Sequence, residues 1–168
     1  MSEGVHYLHS RVPPIVHGDL HPGNILLDSS GNPYLSDFGL SRIRHEVSRS
    51  CTFRQNGGRM RFIAPELSPK KFRTTPSDIF ALAMTLLNVW SAELPFVEIK
   101  NESKVASSLR KGNRPSQPGS TVVLPADIQS SFWALLIDMW TQDPALRLPI
   151  RDVVERLEGC KRRVEETL

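Results

Sequence analysis

The spacing of apolar residues changes along the chain, from helix-like spacing to short runs and back. Within residues 1–10, Val5 and Leu8 are spaced as on one face of a helix, and Pro13 and Pro14 end that pattern. In the second half of the chain the helical spacing returns. The pattern predicts a mainly α-helical chain that contains a small β-hairpin region near its start.

Three short apolar runs after the prolines predict strands, because each run is too short for a helix. These runs are Ile15-Val16, Ile25-Leu26-Leu27 and Tyr34-Leu35. The sequence "DSSGNP" at 28–33 is rich in turn-forming residues and predicts a tight connection between the last two strands. Polar residues stand at the ends of these strands, where a rigid scaffold often carries a site.

A long helix is predicted from Thr75, which suits an N-cap. Pro76 suits the first helical position, and Asp78 stands where a capping box places its acid. The segment is apolar on nearly every side up to Pro95, which ends it. This helix is therefore expected in the centre of the domain.

Two further helices are predicted after a loop over 112–125, and Asp143-Pro144 separates them. Apolar residues at helix spacing define both: Ile128, Phe132, Leu135 and Met139 in the first, and Ile150, Val153, Val154 and Leu157 in the second. Residues 40–63 show no such pattern. They carry six arginines against one acid, Glu46, and predict a mobile, solvated basic loop.

The composition fits a globular chain, with 168 residues, 39% apolar residues and a net charge of +3. This charge is too small to indicate nucleic-acid binding. The longest apolar segment, 79–90, is too short to span a membrane, and the start is not a signal peptide. Cys51 and Cys160 stand alone, which favours reduced thiols over a single disulfide between them. We therefore expect an intracellular, cytoplasmic protein that binds neither nucleic acid nor membrane.

Three oxygen-bearing side chains lie on turns next to the predicted strands: Asp19, Asn24 and Asp37. A carboxylate together with an amide oxygen suits a hard cation such as Mg²⁺. A further carboxylate nearby could accept a proton from a hydroxyl nucleophile. Each residue alone is more often a simple turn former, but the combination is typical of phosphoryl transfer.

Five sequence segments resemble those of the protein kinase family. "HGDLHPGN" at 17–24 is similar to the catalytic-loop motif, and "DFG" at 37–39 and "APE" at 64–66 follow in the same order. The segments at 74–96 and 136–150 resemble the buried central helix and a later helix and loop. Within that family, these segments are similar to those of the tyrosine-kinase-like group of Ser/Thr kinases.

The resemblance implies ATP and Mg²⁺ as cofactors and a protein substrate. Asp19 would be the catalytic base, while Asn24 and Asp37 would hold Mg²⁺ on the ATP phosphates. Leu26 would lie under the adenine ring. The remaining two residues of the DFG motif, Phe38 and Gly39, would belong to the cofactor site together with Asp37.

The same resemblance implies structural roles for a second group of residues. His17 would stack with Phe38 in an internal apolar column, or serve as an ordinary core histidine. Asp78 would accept backbone N–H groups of the catalytic loop, or only cap its helix. Arg147 would pair with Glu66 and tie the activation segment to the lobe.

Three positions depart from the family pattern. Gly18 replaces the arginine that usually pairs with a phosphorylated activation loop. His21 stands at the usual lysine position of the catalytic loop, where a mostly neutral side chain would neutralise phosphate charge less well. Arg59 stands where a threonine commonly bridges that lysine and the base. Efficient phosphoryl transfer is therefore in question.

The resemblance covers residues 1–160, which correspond to a C-terminal lobe, and leaves 161–168 as a short tail. The Gly-rich loop, the strand lysine and its glutamate partner belong to an N-terminal lobe, which is absent from this sequence. The isolated chain is therefore expected to be inactive. It is also expected to expose the face on which that lobe docks, and a partner could cover this face.

Three functional hypotheses remain. The first is a protein kinase C-lobe, of Ser/Thr type. The second is a non-catalytic module that uses the lobe as a binding scaffold, like a pseudokinase. The third is a small-molecule phosphotransferase, because "HGDLHPGN" is also similar to the loop of such enzymes. The APE motif, Arg147 and the helix of Asp78 favour the protein kinase.

Overall fold

The structure is a computed structural model that describes residues 1–37, 42–43, 59–67, 72–119 and 124–167, with only the backbone at 42–43. Five α-helices lie in this part of the chain: α1 (Ser2–His9), α2 (Thr75–Ser91), α3 (Glu102–Arg110), α4 (Ala126–Met139) and α5 (Ile150–Thr167). Four short strands accompany them: β1 (Ile15–Val16), β2 (Ile25–Leu27), β3 (Pro33–Leu35) and β4 (Arg42–Ile43). The prediction of a mainly α fold with a small hairpin region is confirmed.

The predicted hairpin is formed by β2 and β3, which pair antiparallel with Ile25 opposite Leu35 and Leu26 opposite Tyr34. Its turn is closed by the carboxylate of Asp28, which accepts the backbone N–H groups of Ser30 at 2.9 Å and Asn32 at 2.8 Å. An aspartate that accepts amides two and four residues ahead replaces the hydrogen bonds that the turn cannot make.

Strand β1 forms a second two-stranded sheet with β4, where Ile15 lies opposite Ile43 and Val16 opposite Arg42. Residues 40–63 were predicted to be an irregular loop, so this pairing corrects the prediction for β4. The rest of that segment is described only from Arg59 onward, where Arg59–Phe62 form a 3-10 helix. The prediction of an irregular, solvated loop is therefore wrong for Arg61 and Phe62, which are buried in this 3-10 helix.

Helix α2 is buried on nearly all sides, as predicted, but its start differs from the prediction. The N-cap is Thr74, whose side chain accepts the N–H of Ser77 while the Ser77 side chain accepts the N–H of Thr74. The predicted cap at Thr75 and the capping-box role of Asp78 are wrong, because this reciprocal pair already satisfies the first turn. The helix ends at Ser91, and Ala92 follows with a left-handed φ of 56°, before Pro95.

The core forms where α2 packs against α4, and α4 against α5. The predicted helix faces are confirmed, with Ile128, Leu135 and Met139 of α4 and Val153 of α5 all buried. Helix α5 continues to Thr167, so the predicted tail is helical up to that residue. Among the described residues, no helix is both long enough and apolar enough to cross a membrane.

Helix α3 was not predicted. Its N-terminus is capped by Asn101, whose side chain accepts the N–H groups of Ser103 and Lys104. Val105 and Leu109, four residues apart, are the large apolar side chains that it buries. This segment is too short and too polar for the apolar spacing alone to predict a helix.

Candidate active site

The loop after β1 is held from below by a carboxylate of helix α2. Asp78 accepts the backbone N–H of His17 on Oδ2 and the backbone N–H of Gly18 on Oδ1, each at 2.8 Å. Gly18 has a φ of 79°, a conformation that a residue with a Cβ rarely adopts. Asp78 therefore fixes the backbone that leads into Asp19, beyond any effect at its helix terminus.

Sequence reasoning missed a third partner of Asp78. The Nε2 atom of His9, from the last turn of α1, lies 3.0 Å from Asp78 Oδ2, and both side chains are almost fully buried. The signal available in the sequence was a histidine at the end of the first predicted helix. Because α1, α2 and the loop meet at one carboxylate, the loop is tied to two helices.

The imidazole of His17 links the loop to the end of β3. It is completely buried, its Nδ1 accepts the backbone N–H of Asp19 at 3.3 Å, and its Nε2 lies 3.2 Å from the carbonyl oxygen of Ser36. Because Nδ1 accepts, Nε2 is the atom that donates in this arrangement. The predicted stacking partner, Phe38, lies outside the described residues, as does Gly39.

Asp19 and Asn24 are joined by a short hydrogen bond. The side-chain Nδ2 of Asn24 donates to the backbone carbonyl of Asp19 at 2.8 Å, and a 3-10 helix, Pro22–Asn24, connects the two residues. Asn24 is buried. Since Nδ2 is engaged, Oδ1 is the side-chain atom of Asn24 suited to a cation.

Asp37 lies at the same end of the hairpin as Asn24. The register of β2 and β3 brings the residues next to Ile25 and Leu35 together, and the backbone N–H of Ser36 donates to the carbonyl of Asn24 at 2.9 Å. Asp37 follows directly, with a left-handed φ of 56° that aspartate tolerates better than most residues. The hairpin thus brings the backbone of Asp37 to the same end as Asn24.

These oxygen donors fit Mg²⁺. Among the described residues, no group of three or more His, Cys, Asp or Glu side chains could hold a metal alone. Mg²⁺ is commonly bound by one or two protein oxygens together with phosphate oxygens and water, rather than by a complete protein cage. Asn24 and Asp37 would be the protein ligands, and the phosphates of a nucleotide would complete the shell.

The carboxylate of Asp19 is partly covered by two basic side chains. The Nη1 atom of Arg59 donates to Asp19 Oδ2 at 3.1 Å, and the Nε2 atom of His21 lies 3.9 Å from the same oxygen. Burial lowers the pKa of His21 below 6.5, while the Asp19 carboxylate opposes this shift and the Arg59 guanidinium adds to it. His21 is therefore a neutral ring at pH 7.

A buried ion pair anchors the segment that carries Arg59. The guanidinium of Arg147 contacts both carboxylate oxygens of Glu66, each at 2.7 Å, and its side chain is completely buried. Arg147 also donates to the carbonyls of Pro76 and Thr141, both at 2.9 Å. Arg147 thus connects Glu66 to the start of α2 and to the loop before α5.

Arg61, which was predicted to lie in a solvated loop, is a second buried anchor. Its guanidinium donates to the carbonyls of Pro95, Phe96 and Ile99 at 2.6 to 2.7 Å. Only the count of arginines was visible in the sequence, and nothing there marked one of them as buried. The contact fixes the 3-10 helix that begins at Arg59.

Leu26 lies apart from these polar groups, on the exposed surface of β2. Its cross-strand neighbour Tyr34 and the next residue, Leu27, are exposed as well. An uncovered apolar side chain at this position is available to a flat ligand or to another protein surface.

Comparison with known protein families identifies a match over most of the chain. The sequence profile described as "Protein kinase domain" matches residues 1–157, which ends close to the predicted boundary at residue 160.

Curated relatives are serine/threonine-protein kinases. The chain is 33% identical over 166 residues to the mouse serine/threonine-protein kinase TNNI3K, covering 98% of this chain and 19% of the relative. It is 33% identical to the bovine receptor-interacting serine/threonine-protein kinase 2, covering 97% and 31%. It is 30% identical to the Arabidopsis thaliana serine/threonine-protein kinase 12, covering 95% and 34%. The chain thus spans about a fifth to a third of the length of these relatives.

Proposed function

This chain belongs to the protein kinase family, and on that premise we propose that it carries the metal-binding and base-bearing half of a Ser/Thr protein kinase site. One observation carries the proposal. The hydrogen bonds from Asn24 Nδ2 to the Asp19 carbonyl and from the Ser36 N–H to the Asn24 carbonyl link Asp19, Asn24 and the residue before Asp37 at one end of the hairpin.

In the proposed reaction, each of these side chains has one task. Asp19 orients the substrate hydroxyl and accepts its proton as the oxygen bonds to the γ-phosphorus and the bond to the ADP oxygen breaks. Asn24 and Asp37 would hold Mg²⁺ through their side-chain oxygens. When bound, Mg²⁺ neutralises charge on the ATP phosphates. The buried contacts of Asp78 and His17 keep the loop of Asp19 in place.

The substrate is proposed to be a serine or threonine of a protein. The names of these relatives support this class, and the Glu66–Arg147 ion pair also supports it. The lobe is proposed to extend over residues 1–160, and the exposed Leu26 to face the adenine ring. A reaction that consumes ATP is expected inside the cell.

A second candidate function, a non-catalytic scaffold, is favoured by one specific observation. Arg59 donates directly to the carboxylate that should accept the substrate proton. A carboxylate that already accepts a hydrogen bond from a guanidinium is less accessible to a hydroxyl group. In this alternative, the exposed residues Leu26, Leu27 and Tyr34 would belong to a surface covered by a protein partner.

Titration of the ¹⁵N-labelled chain with ATP in the presence of Mg²⁺ tests the proposal. We expect saturable shifts at Asn24 and Ser36, which Asp37→Asn removes. Asp28→Asn is the matched control, because it makes the same change at the other end of the hairpin and should leave binding intact. If no shift saturates, or if Asp37→Asn binds like the wild type, the proposal is wrong and the scaffold is favoured.

A further inference from the structure

The catalytic loop carries a histidine, His21, where a cation would be expected. The backbone N–H of Gly23 donates to His21 Nδ1 at 3.1 Å, so Nδ1 is an acceptor and carries no proton. The ring is therefore neutral in this arrangement. Its other nitrogen, Nε2, is buried and has no hydrogen-bond partner among the residues that the structure describes.

The ring of His21 has neighbours on two sides. A Cβ on Gly23 would lie 2.9 Å from its Cε1 atom, so the loop backbone already packs directly against the ring. On another side, the ring of Phe62 lies 6.3 Å away between centroids. His21 therefore fills space beside Asp19 but does not supply charge there.

A positive charge nevertheless stands beside Asp19, on a different segment. The guanidinium of Arg59 reaches Asp19 Oδ2, and both residues line the same cleft as His21. Within the described ranges, Asp19 is the hydrogen-bond partner found for Arg59, and that bond uses Nη1. A guanidinium has five N–H donors, and the Arg59 side chain is 30% exposed, so donors remain accessible to a ligand.

The backbone that carries Arg59 is held firmly. Two residues on, Arg61 is buried and donates to three carbonyls of the loop that follows α2, and Phe62 lies in the core. A side chain that starts from a fixed backbone loses less entropy when it binds a ligand. Arg59 is thus presented to the cleft by the fold.

We propose that Arg59 is the phosphate-binding cation of this site and takes over the charge that His21 does not provide. This inference rests on the proposed function, because it requires a nucleotide phosphate beside Asp19. The planar guanidinium suits phosphate oxygens, which it can contact with two parallel hydrogen bonds. Arg59 contacts Asp19 without a nucleotide and contacts both Asp19 and the terminal phosphate when ATP is bound.

The test compares the affinities of the 168-residue chain for Mg²⁺-ATP and Mg²⁺-ADP, measured by NMR titration. Arg59→Gln should weaken ATP binding by about tenfold and change ADP binding by less than about twofold, because one charged phosphate contact is lost. Arg59→Lys should retain most of the ATP affinity. Adding His21→Lys to Arg59→Gln should restore ATP binding, because the cation returns to the catalytic loop.

Each contrary outcome has a separate meaning. Unchanged or tighter ATP binding by Arg59→Gln would overturn the inference and show that Arg59 only blocks Asp19. Equal weakening of ATP and ADP would also overturn it, because the contact would then not be with the terminal phosphate. Asp28→Asn controls for charge on the hairpin and should match the wild type. If the wild type shows no saturable binding that depends on Asp37, the proposed function fails first, and the inference fails with it.

Discussion

Replacing Glu66 with glutamine should strongly destabilise the chain, because it removes the negative charge that pairs with the buried Arg147. The change keeps the shape of the side chain, so the effect reports the loss of charge. The Arg147 guanidinium is completely buried, and Glu66 Oε1 and Oε2 are its only carboxylate partners within the described residues. Removing one partner of a buried ion pair costs about 3–5 kcal/mol. The carbonyls of Pro76 and Thr141 remain as acceptors, and Glu66 is 19% exposed. We therefore expect a loss of about 3 kcal/mol, at the lower end of that range.

Urea unfolding followed by tryptophan fluorescence measures this loss as a change in the free energy of unfolding. Asp138→Asn is the matched control, because its partner Arg156 forms an ion pair at the surface, where 37% and 50% of the two side chains are exposed. That change should cost less than about 1 kcal/mol. Adding Arg147→Met to Glu66→Gln should recover part of the loss, since the unpaired charge disappears. If Glu66→Gln costs no more than Asp138→Asn, the reasoning is wrong.

Two further predictions concern the loop and the hairpin. Asp78→Asn should cost about 2–3 kcal/mol in the same unfolding assay, because one acceptor is lost for the buried N–H groups of His17 and Gly18. An unchanged unfolding midpoint would show that the loop does not depend on this carboxylate. Hydrogen bonds from Asn32 and Ser30 lower the pKa of Asp28 below 3.8. The contribution of the Asp28 carboxylate to hairpin stability should therefore be complete above pH 3.8, and it should be lost as the pH falls through the lowered pKa of the folded state. The protection factor of the Asn32 amide, which is corrected for the intrinsic pH dependence of exchange, measures this loss, and Asp28→Asn should remove the change in that factor over this pH range.

Much of the fold was predictable because it depends on local pattern. The helical spacing of Ile128, Leu135 and Met139 reflects a buried face, and the turn residues at 28–33 encode a hairpin through hydrogen bonds within a few residues. Helix α3 was missed because it is short and buries few large side chains. Strand β4 was missed because two residues are too few to show the alternation of apolar and polar positions typical of a strand. Their pairing with β1 also spans more than 25 residues of sequence.

The candidate site was predictable in part for the same reason. Asp19, Asn24 and Asp37 were identified from their order along the chain, and the hairpin register places the latter two at one end. Arg61 and Arg59 could not be told apart in a basic stretch. Their contacts depend on carbonyls and a carboxylate that lie 34 to 40 residues away in sequence. Tertiary structure decides which arginine is buried and which one faces the cleft.

The most direct test of the account uses Mn²⁺ in place of Mg²⁺ with the ¹⁵N-labelled chain and ATP. A paramagnetic ion broadens the signals of nearby nuclei, so it reports the position of the metal without requiring activity. The account predicts that the amide signals of Asn24 and Ser36 broaden first, and that Asp37→Asn removes this effect while Asp28→Asn does not. Broadening centred elsewhere, or unaffected by Asp37→Asn, would contradict the assignment of the hairpin end as the metal site.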